Sequence, residues 1–526
     1  MSGLAPAATA DLEPAVLGVE RSLAGRRWVR RSADERTVLT LQQRLGVSDI
    51  VARVLAGREI GVEDAADFLS PTLRAALPDP GHLLDMDKAV ARLVAAVEAG
   101  ERVVVFGDYD VDGATSSALL VRYFRALGVE IGVYIPDRVA EGYGPNAAAL
   151  ERLAGEGVNV VVTVDCGITA HDPLAAGQAA GLDVIVVDHH VAEPRLPVAA
   201  AVVNPNRLDD PSPHGQLAAV GVTFLLLVAL NRALREAGRF AGGGEPDLLG
   251  LLDLVALGTV CDVVPLTGVN RALVAQGLKV MARRQNVGLT ALADVARMDQ
   301  APGVYHAGFL LGPRLNAGGR VGEAGMGWAL LTTEDMTAAR AMAQRLDGFN
   351  TERQALEAAV LADALARVEA AGGDAPVVTV AGEGWHPGVI GIVASRLVER
   401  LGRPVCVVAV NDGVGKGSGR SISGVDLGSA VIAARQKELL VNGGGHKMAA
   451  GFTVEPGKLD LLAAFLEERL AEAVAAAQAP PGAGPYHDAP WREARRDGVV
   501  LRVREVALFD DAFAEAARFA ASVRAS

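Results

Sequence analysis

Aromatic residues are scarce in this chain: Phe, Tyr and Trp make up 4% of its 526 residues. Any stacking on flat ligands would therefore rest on a few positions, such as Tyr143 or Phe349. Cysteine is scarcer still. Cys166, Cys261 and Cys406 are the only three, far apart and never arranged as C-x-x-C. That argues against a disulfide framework and a structural zinc site, and fits a reducing cytoplasm. Net positive charge is absent as well. The formal charge of −13 gives no global attraction to nucleic acid or an anionic membrane, so a polyanion site has to be a local basic patch. Long hydrophobic runs are also missing. The longest uncharged apolar stretch, LAAVGVTFLLLVAL at 217–230, is too short to span a bilayer and reads as a buried helix. The N-terminal MSGLAPAATADLEPAV has no basic segment followed by an apolar one, so no signal peptide is expected.

Half of the residues are apolar, enough for a large core, and the length suits two to four domains. No internal repeat is evident. Residues 1–87 read as an N-terminal segment with helix-like stretches such as TVLTLQQRLGVSDIVARVLAG. From there to 331 the pattern is α/β. Short β-rich runs lie at 102–108, 129–137, 158–167, 182–190 and 199–205, with helical patterns between several of them. Runs apolar throughout, rather than alternating, predict a parallel sheet covered on both faces. Residues 217–300 read as mainly helical. The stretch 332–373 predicts a long connector helix interrupted near DGFN, and 374–476 a second, smaller α/β domain. AQAPPGAGP at 477–485 reads as a linker, and the tail to 526 shows no clear periodicity.

The chemistry begins at FGDYDVDGATSSALL, residues 106–120, where Asp108, Asp110 and Asp112 precede Gly113. An EF-hand loop would need Glu at 119, which is Leu119, and the stretch follows a buried strand; calcium-loop chemistry is thereby excluded. Other strand ends supply Asp165 and the run Asp188-His189-His190, and Asp262 follows in LVALGTVCDVVPL. Parallel strands bring their carboxyl ends together, where open α/β sheets bind ligands. Several carboxylates with one or two imidazoles suit Mn²⁺ or Mg²⁺, and so many acids suggest two ions, a standard device for phosphoryl transfer. Simpler roles exist residue by residue. Asp108 could do no more than cap the next helix, and Asp188 could merely orient a neighbouring histidine. GVGKGSGRS lacks the Gly-Lys-Ser/Thr of a Walker A loop. In GGGHKMAAG the glycines either let backbone N–H groups approach a phosphate or make a tight turn.

GDYDVDGATS, VTVDCGIT, VVDHH and GTVCDVVPL, in that order, resemble the DHH phosphoesterase superfamily. GPRLNAGGR (312–320), GKGSGRSISGVDL (415–427) and VNGGGHKMAAGFTV (441–454) narrow the resemblance to the RecJ family, over residues 20–475. The resemblance implies a parallel-sheet DHH domain joined by a long helix to a DHH-associated domain. It implies a single-stranded-DNA-specific 5′→3′ exonuclease that releases 5′-mononucleotides by two-metal hydrolysis in DNA repair and recombination. Asp110, Asp112, His189 and Asp262 match metal ligands, with Asp108 beside them, and Asp165 matches the bridging carboxylate. His190 matches a residue near the scissile phosphate, where it would position the phosphate or assist proton transfer, with Asp188 behind it. Ser418 and Arg420 match residues that hold the DNA 5′ end. Arg314, Asn316 and Arg320 lie in the other basic motif, and Gly444, Gly445 and His446 in the glycine-rich one. Arg314 and Arg320 are candidate phosphate contacts whose alternative is a surface salt bridge, and the flanking glycine favours the functional reading for Arg320. Single-stranded DNA is the implied partner, beside repair proteins such as helicases or a single-strand-binding protein, with no membrane.

The family pattern adds an oligonucleotide-binding barrel after the second domain. None is recognisable from 477 on, and the roughly 45 residues after the linker are too few for five strands. Two rival readings stand beside this one. A DHH phosphodiesterase for short oligonucleotides or cyclic dinucleotides would share the chemistry. A non-catalytic DNA-binding scaffold would need lost ligands, yet all the expected acids are present.

Overall fold

The computed structural model describes Ala15, residues 33–138, 141–372 and 375–478, and the backbone of two further strands. The described residues form two compact units, one of residues 60–353 and one of those up to 59 with those from 354 on.

The unit of residues 60–353 is built on a five-stranded sheet. Its strands are β1 (Val103–Gly107), β2 (Gly132–Tyr134), β3 (Val160–Val164), β4 (Asp183–Val187) and β5 (Ala201–Val203), in the order β2-β1-β3-β4-β5. Every pairing is parallel, so the five β-rich runs of the sequence all became strands of the expected kind. Side chains alternate between faces along a strand. Val103, Val105, Val162, Ile185 and Val187 therefore face one core, with helices Met86–Ala99, Val111–Ala126 and Ala219–Glu236. Val104, Phe106, Val161, Val184 and Val186 face another, with Leu150 and Leu174 from helices Ala147–Gly155 and His171–Ala179. Both faces are dry, which is why these strands are apolar throughout. The apolar run at 217–230 is the buried helix Ala219–Glu236.

Helix Met336–Ala370 runs unbroken for 35 residues, so the expected interruption near DGFN is absent. A single Gly348 costs a helix only about 1 kcal/mol, and the buried Leu346 and Asn350 flanking it hold that stretch in place.

In the other unit, β6 (Val378–Glu383) and β7 (Val405–Asn411) pair in parallel around helix Ile390–Leu401, as expected. Three more strands follow: β8 (Val414–Arg420), β9 (Asn442–His446) and β10 (Ala449–Val454). The sheet order is β6-β7-β8-β10-β9, and the added pairings are antiparallel. GKGSGR is thus a strand, and GGGH is a strand rather than a turn. The glycines of β8 are there for packing: a Cβ on Gly417 would lie 2.1 Å from the Phe452 ring. Helices Glu35–Leu45 and Asp49–Gly57, capped by Asp34 and Ser48, account for the N-terminal helical pattern. Among the described residues no helix is long and apolar enough to cross a membrane.

Beyond Gln478 only the backbone of an antiparallel pair, β11 (Arg492–Arg496) and β12 (Val499–Val503), is described. The expected absence of a complete barrel and of a signal peptide, and the linker past Gln478, lie outside the described residues.

Candidate metal centre

The carboxyl ends of β1, β3 and β4 each deliver acid to one edge of the parallel sheet. After β1 the chain turns at once into helix Val111–Ala126. Asp110, not Asp108, caps that helix: its Oδ1 accepts the N–H groups of Asp112 at 2.8 Å and Gly113 at 3.1 Å. Asp108 makes no cap and is buried, with Oδ1 lacking a hydrogen-bond partner. The glycine after the acids is required, because a Cβ on Gly113 would stand 2.6 Å from the Asp108 backbone. Asp112 reaches across the fold. Its two oxygens accept the N–H groups of Ala219 (2.7 Å) and Val220 (2.8 Å), at the start of helix Ala219–Glu236.

Asp165, just past β3, is held at φ 61°. This left-handed backbone is costly for most residues and less so for Asp. Its N–H donates to Val187 C=O at 3.1 Å, and its C=O accepts the Tyr143 hydroxyl at 2.8 Å. Past β4, Asp188 is wholly committed. Oδ1 accepts His189 N–H (2.7 Å) and stands 2.8 Å from His190 Nδ1, while Oδ2 accepts Ile168 N–H at 3.0 Å. His189 turns the other way, with Nε2 3.4 Å from Asp165 Oδ1, 3.6 Å from Asp262 Oδ2 and 4.0 Å from Asp112 Oδ2. Asp262 is the C-cap of helix Leu252–Cys261, and Val263 after it is again left-handed at φ 62°. Positive φ is rarer still for a β-branched residue, so strain flanks this centre on two sides.

Burial first, then the neighbouring carboxylates, push Asp108, Asp112 and Asp165 well above the usual carboxylate range. The same causes lift Asp262 to about 7. Burial and the charge of His190 depress His189 to about 4, keeping its imidazole neutral. Burial opposes charge on Asp188 and His190 too. The hydrogen bond between them outweighs it, holding Asp188 down at about 2 and His190 up at about 9. Four atoms at this edge are buried without a hydrogen-bond partner: Asp108 Oδ1, Asp165 Oδ1, His189 Nε2 and Asp262 Oδ2. Unpaired lone pairs with no cation are costly, and this donor set of carboxylates and a neutral imidazole fits hard divalent ions. Three groups could hold one, each with its donor atoms within 4.8 Å of one another: Asp108-Asp110-Asp165, Asp112-His189-Asp262 and Asp165-His189-His190.

Guanidinium groups surround the acids. Arg138 lies 5.0 Å from the centre of the Tyr109 ring, and its charge is felt by Asp108. Burial, then the like charges of Arg138 and Arg353, lower Arg320 to about 10. Helix Gly312–Val321, which carries Arg314, Asn316 and Arg320, packs so that a Cβ on Gly319 would meet Tyr109 C=O at 2.6 Å. Arg314 is tied to Asp347 at 2.8 Å and to Leu310 C=O, which is the salt-bridge alternative; Asn316 is half-buried on the same helix. Of the two expected aromatics, Tyr143 touches the centre, whereas Phe349 packs on the core. Sequence reasoning missed Arg138 and Arg353, single cations in unremarkable contexts. It also missed Tyr305 and Phe309, exposed rings stacked 5.4 Å apart at a π-helical turn just before GPRLNAGGR.

Comparison with known proteins agrees with this architecture. The model of the DHH family N-terminal domain matches residues 102–259, and that of the DHHA1 domain residues 374–472. The single-stranded-DNA-specific exonuclease RecJ of Salmonella typhimurium is 40% identical over 443 residues, covering 82% of this chain and 75% of the relative. The chain belongs to the RecJ family. RecJ of Bacillus subtilis is 36% identical over 84% of this chain, which spans 55% of that relative's length. A crystal structure of RecJ from Thermus thermophilus with Mn²⁺ superposes with a TM-score of 0.71 at 34% identity, covering 84% of this chain and 61% of that one.

The remaining residues matching RecJ motifs lie in the other compact unit. Ser418 and Arg420 project from one face of β8, joined by a 3.1 Å hydrogen bond from Arg420 Nη1 to Ser418 Oγ. A Cβ on Gly391, in the first turn of helix Ile390–Leu401, would lie 3.1 Å from both side chains. Gly444 and Gly445 sit on β9 with the exposed His446. Gly444 has open space around its Cβ position, whereas Gly445 is pressed against Ala449 and Ala450.

Proposed function

We propose that this chain is a single-stranded-DNA-specific 5′→3′ exonuclease, releasing 5′-mononucleotides with two Mn²⁺ or Mg²⁺ ions in cytoplasmic DNA repair and recombination. The observation that carries this is the set of four unpartnered buried donor atoms facing one another at the parallel-sheet edge. Membership of a family whose relatives are single-stranded-DNA-specific exonucleases supports the substrate. Asp108, Asp110 and Asp165 would hold one ion, and Asp112, His189 and Asp262 the other. Such ions supply charge neutralisation at the phosphate and a strong oxygen nucleophile at neutral pH.

The protein's own groups do the rest. Asp188 fixes His190 through Nδ1 and keeps it protonated at neutral pH, so its remaining N–H can hold a phosphate oxygen. Tyr143 clamps the backbone of Asp165. Arg138 and Arg320 offset the acids and draw the DNA backbone toward them. Ser418, Arg420, His446 and the start of helix Ile390–Leu401 offer donors for a 5′ phosphate, with Gly444 leaving room beside them. Tyr305 and Phe309 offer the aromatic surface on which bases stack.

A time course with Mn²⁺ on a long 5′-labelled single strand should release labelled mononucleotide as the first product, and a blunt duplex should stay intact. Fast cleavage of dinucleotides beside an untouched long strand would replace this reading with a short-oligonucleotide phosphodiesterase.

A further inference from the structure

The helix that ends at Asp262 begins beside a cavity that the metal chemistry does not use. Its volume is about 170 Å³, its apolar wall includes Met281, Leu289 and Leu311, and Asp253, Asn286 and Gln300 supply polar side chains. Asp253, in the first turn of helix Leu252–Cys261, is 3% exposed. Its Oδ1 accepts the neighbouring Leu254 N–H at 2.8 Å, and among the described residues no cation stands within ion-pair distance of it. The nearby cations are otherwise engaged. Arg284, on the cavity rim, binds Asp294 and Thr290 C=O, and Arg122 donates to Leu331 C=O at 3.4 Å, its charge reaching Asp253 without forming an ion pair. Asn286 is spent capping Leu289 N–H at 3.0 Å. A buried carboxylate bonded only by backbone is costly to keep. Burial pushes Asp253 up to about 6, so it is still ionised at neutral pH.

We propose that this cavity is a binding site for a small organic cation: an ammonium or amidinium head against Asp253, and an apolar body against Met281, Leu289 and Leu311. The size sets the class. A cavity of ~150 Å³ holds a benzene ring, so the body is a ring or chain of about six carbons. Gln300 and Ala301, both exposed on the rim, leave a way in.

The test is calorimetric titration of the full chain at neutral pH with cyclohexylammonium and benzamidinium, and with cyclohexanol as the neutral comparator. Saturable one-site binding of the cations is expected, with cyclohexanol at least tenfold weaker. Asp253→Asn should lose at least tenfold in affinity for the cations and little for cyclohexanol. Leu289→Phe, which fills the apolar wall and leaves the carboxylate, should weaken all three. No saturable binding by either cation, or equal affinity in Asp253→Asn, overturns the proposal. Binding is read directly, so nuclease activity does not enter the result.

Discussion

β3 and β8 are each the middle strand of a five-stranded sheet, yet they serve their sites in opposite ways. β3 is VVVTV, buried at every position, and it ends in Asp165. β8 is VGKGSGR. Glycines on its inner face admit Phe452, Val454 and Leu427, and Lys416, Ser418 and Arg420 line its outer face. The first strand buries everything so that charges at its tip lie in a low-dielectric setting, where they act strongly and need a counter-charge. The second keeps one face wet so that polar groups can grip without that penalty. On the proposed function, metal chemistry would belong to the first arrangement and phosphate holding to the second.

The hardest test of this contrast is Asp165→Asn. Asn tolerates the left-handed backbone at 165 but removes a charge from the middle of the acids. We expect kcat to fall by at least about a thousandfold, or roughly 4 kcal/mol of transition-state stabilisation, while urea unfolding without metal shows stability unchanged or raised. A marked loss of metal-free stability would mean that the acids are not in mutual tension, and the contrast would fail at its first strand.

A smaller effect separates the metal centre from other buried acids of the same unit. Asp253 is raised to about 6 by burial, well away from the acid cluster. The folded form therefore takes up a proton more readily than the unfolded chain, whose carboxylate has the ordinary value of 3.8. The wild type should lose stability through this group as pH rises from about 4 through about 6, and change no further above that. Asp253→Asn lacks the term. It should be more stable at pH 7.5 by up to roughly 3 kcal/mol, with the difference vanishing below pH 4. Thermal unfolding of both proteins across that range reads the difference, and Mn²⁺ should leave it unchanged. A gap that widens on acidification would show that Asp253 is stabilised as a carboxylate.

What could be read beforehand follows from the same contrast. VVVFG and VVVTV announce themselves because a strand buried on both faces has no polar alternation to obscure it, and the acids at their ends were visible with them. The division of labour among those acids was not. Asp108 reads as a capping candidate on paper, and only the N–H groups of Asp112 and Gly113 that Asp110 Oδ1 accepts give the cap to Asp110. The hydrogen bonds that Asp112 accepts from Ala219 and Val220 join distant parts of the chain, beyond any local pattern. β8 and β9 escaped because glycine has poor strand propensity, and the reason for Gly417, the ring of Phe452, lies on a different strand. The long helix was expected, but its continuity through DGFN was not, for the converse reason: packing of Leu346 and Asn350 overrides one unfavourable glycine.

The smallest predicted effect lies on the wet strand. Arg420→Ala removes a side chain that is half-buried, bonded to Ser418 and Gly419 C=O, and not part of a core. Stability and metal affinity should stay close to wild type, because the acids belong to the other compact unit. What should change is the use of the 5′ end. KM for a 5′-phosphorylated strand should rise about tenfold, near 1.4 kcal/mol and typical of one charge-assisted contact, with kcat nearly kept. A strand with a 5′ hydroxyl should show little further loss, since the lost contact was to the phosphate. Steady-state kinetics on the two substrates decide it. A fall in kcat alone, equal for both ends, would place Arg420 with the chemistry and erase the difference between the two strands.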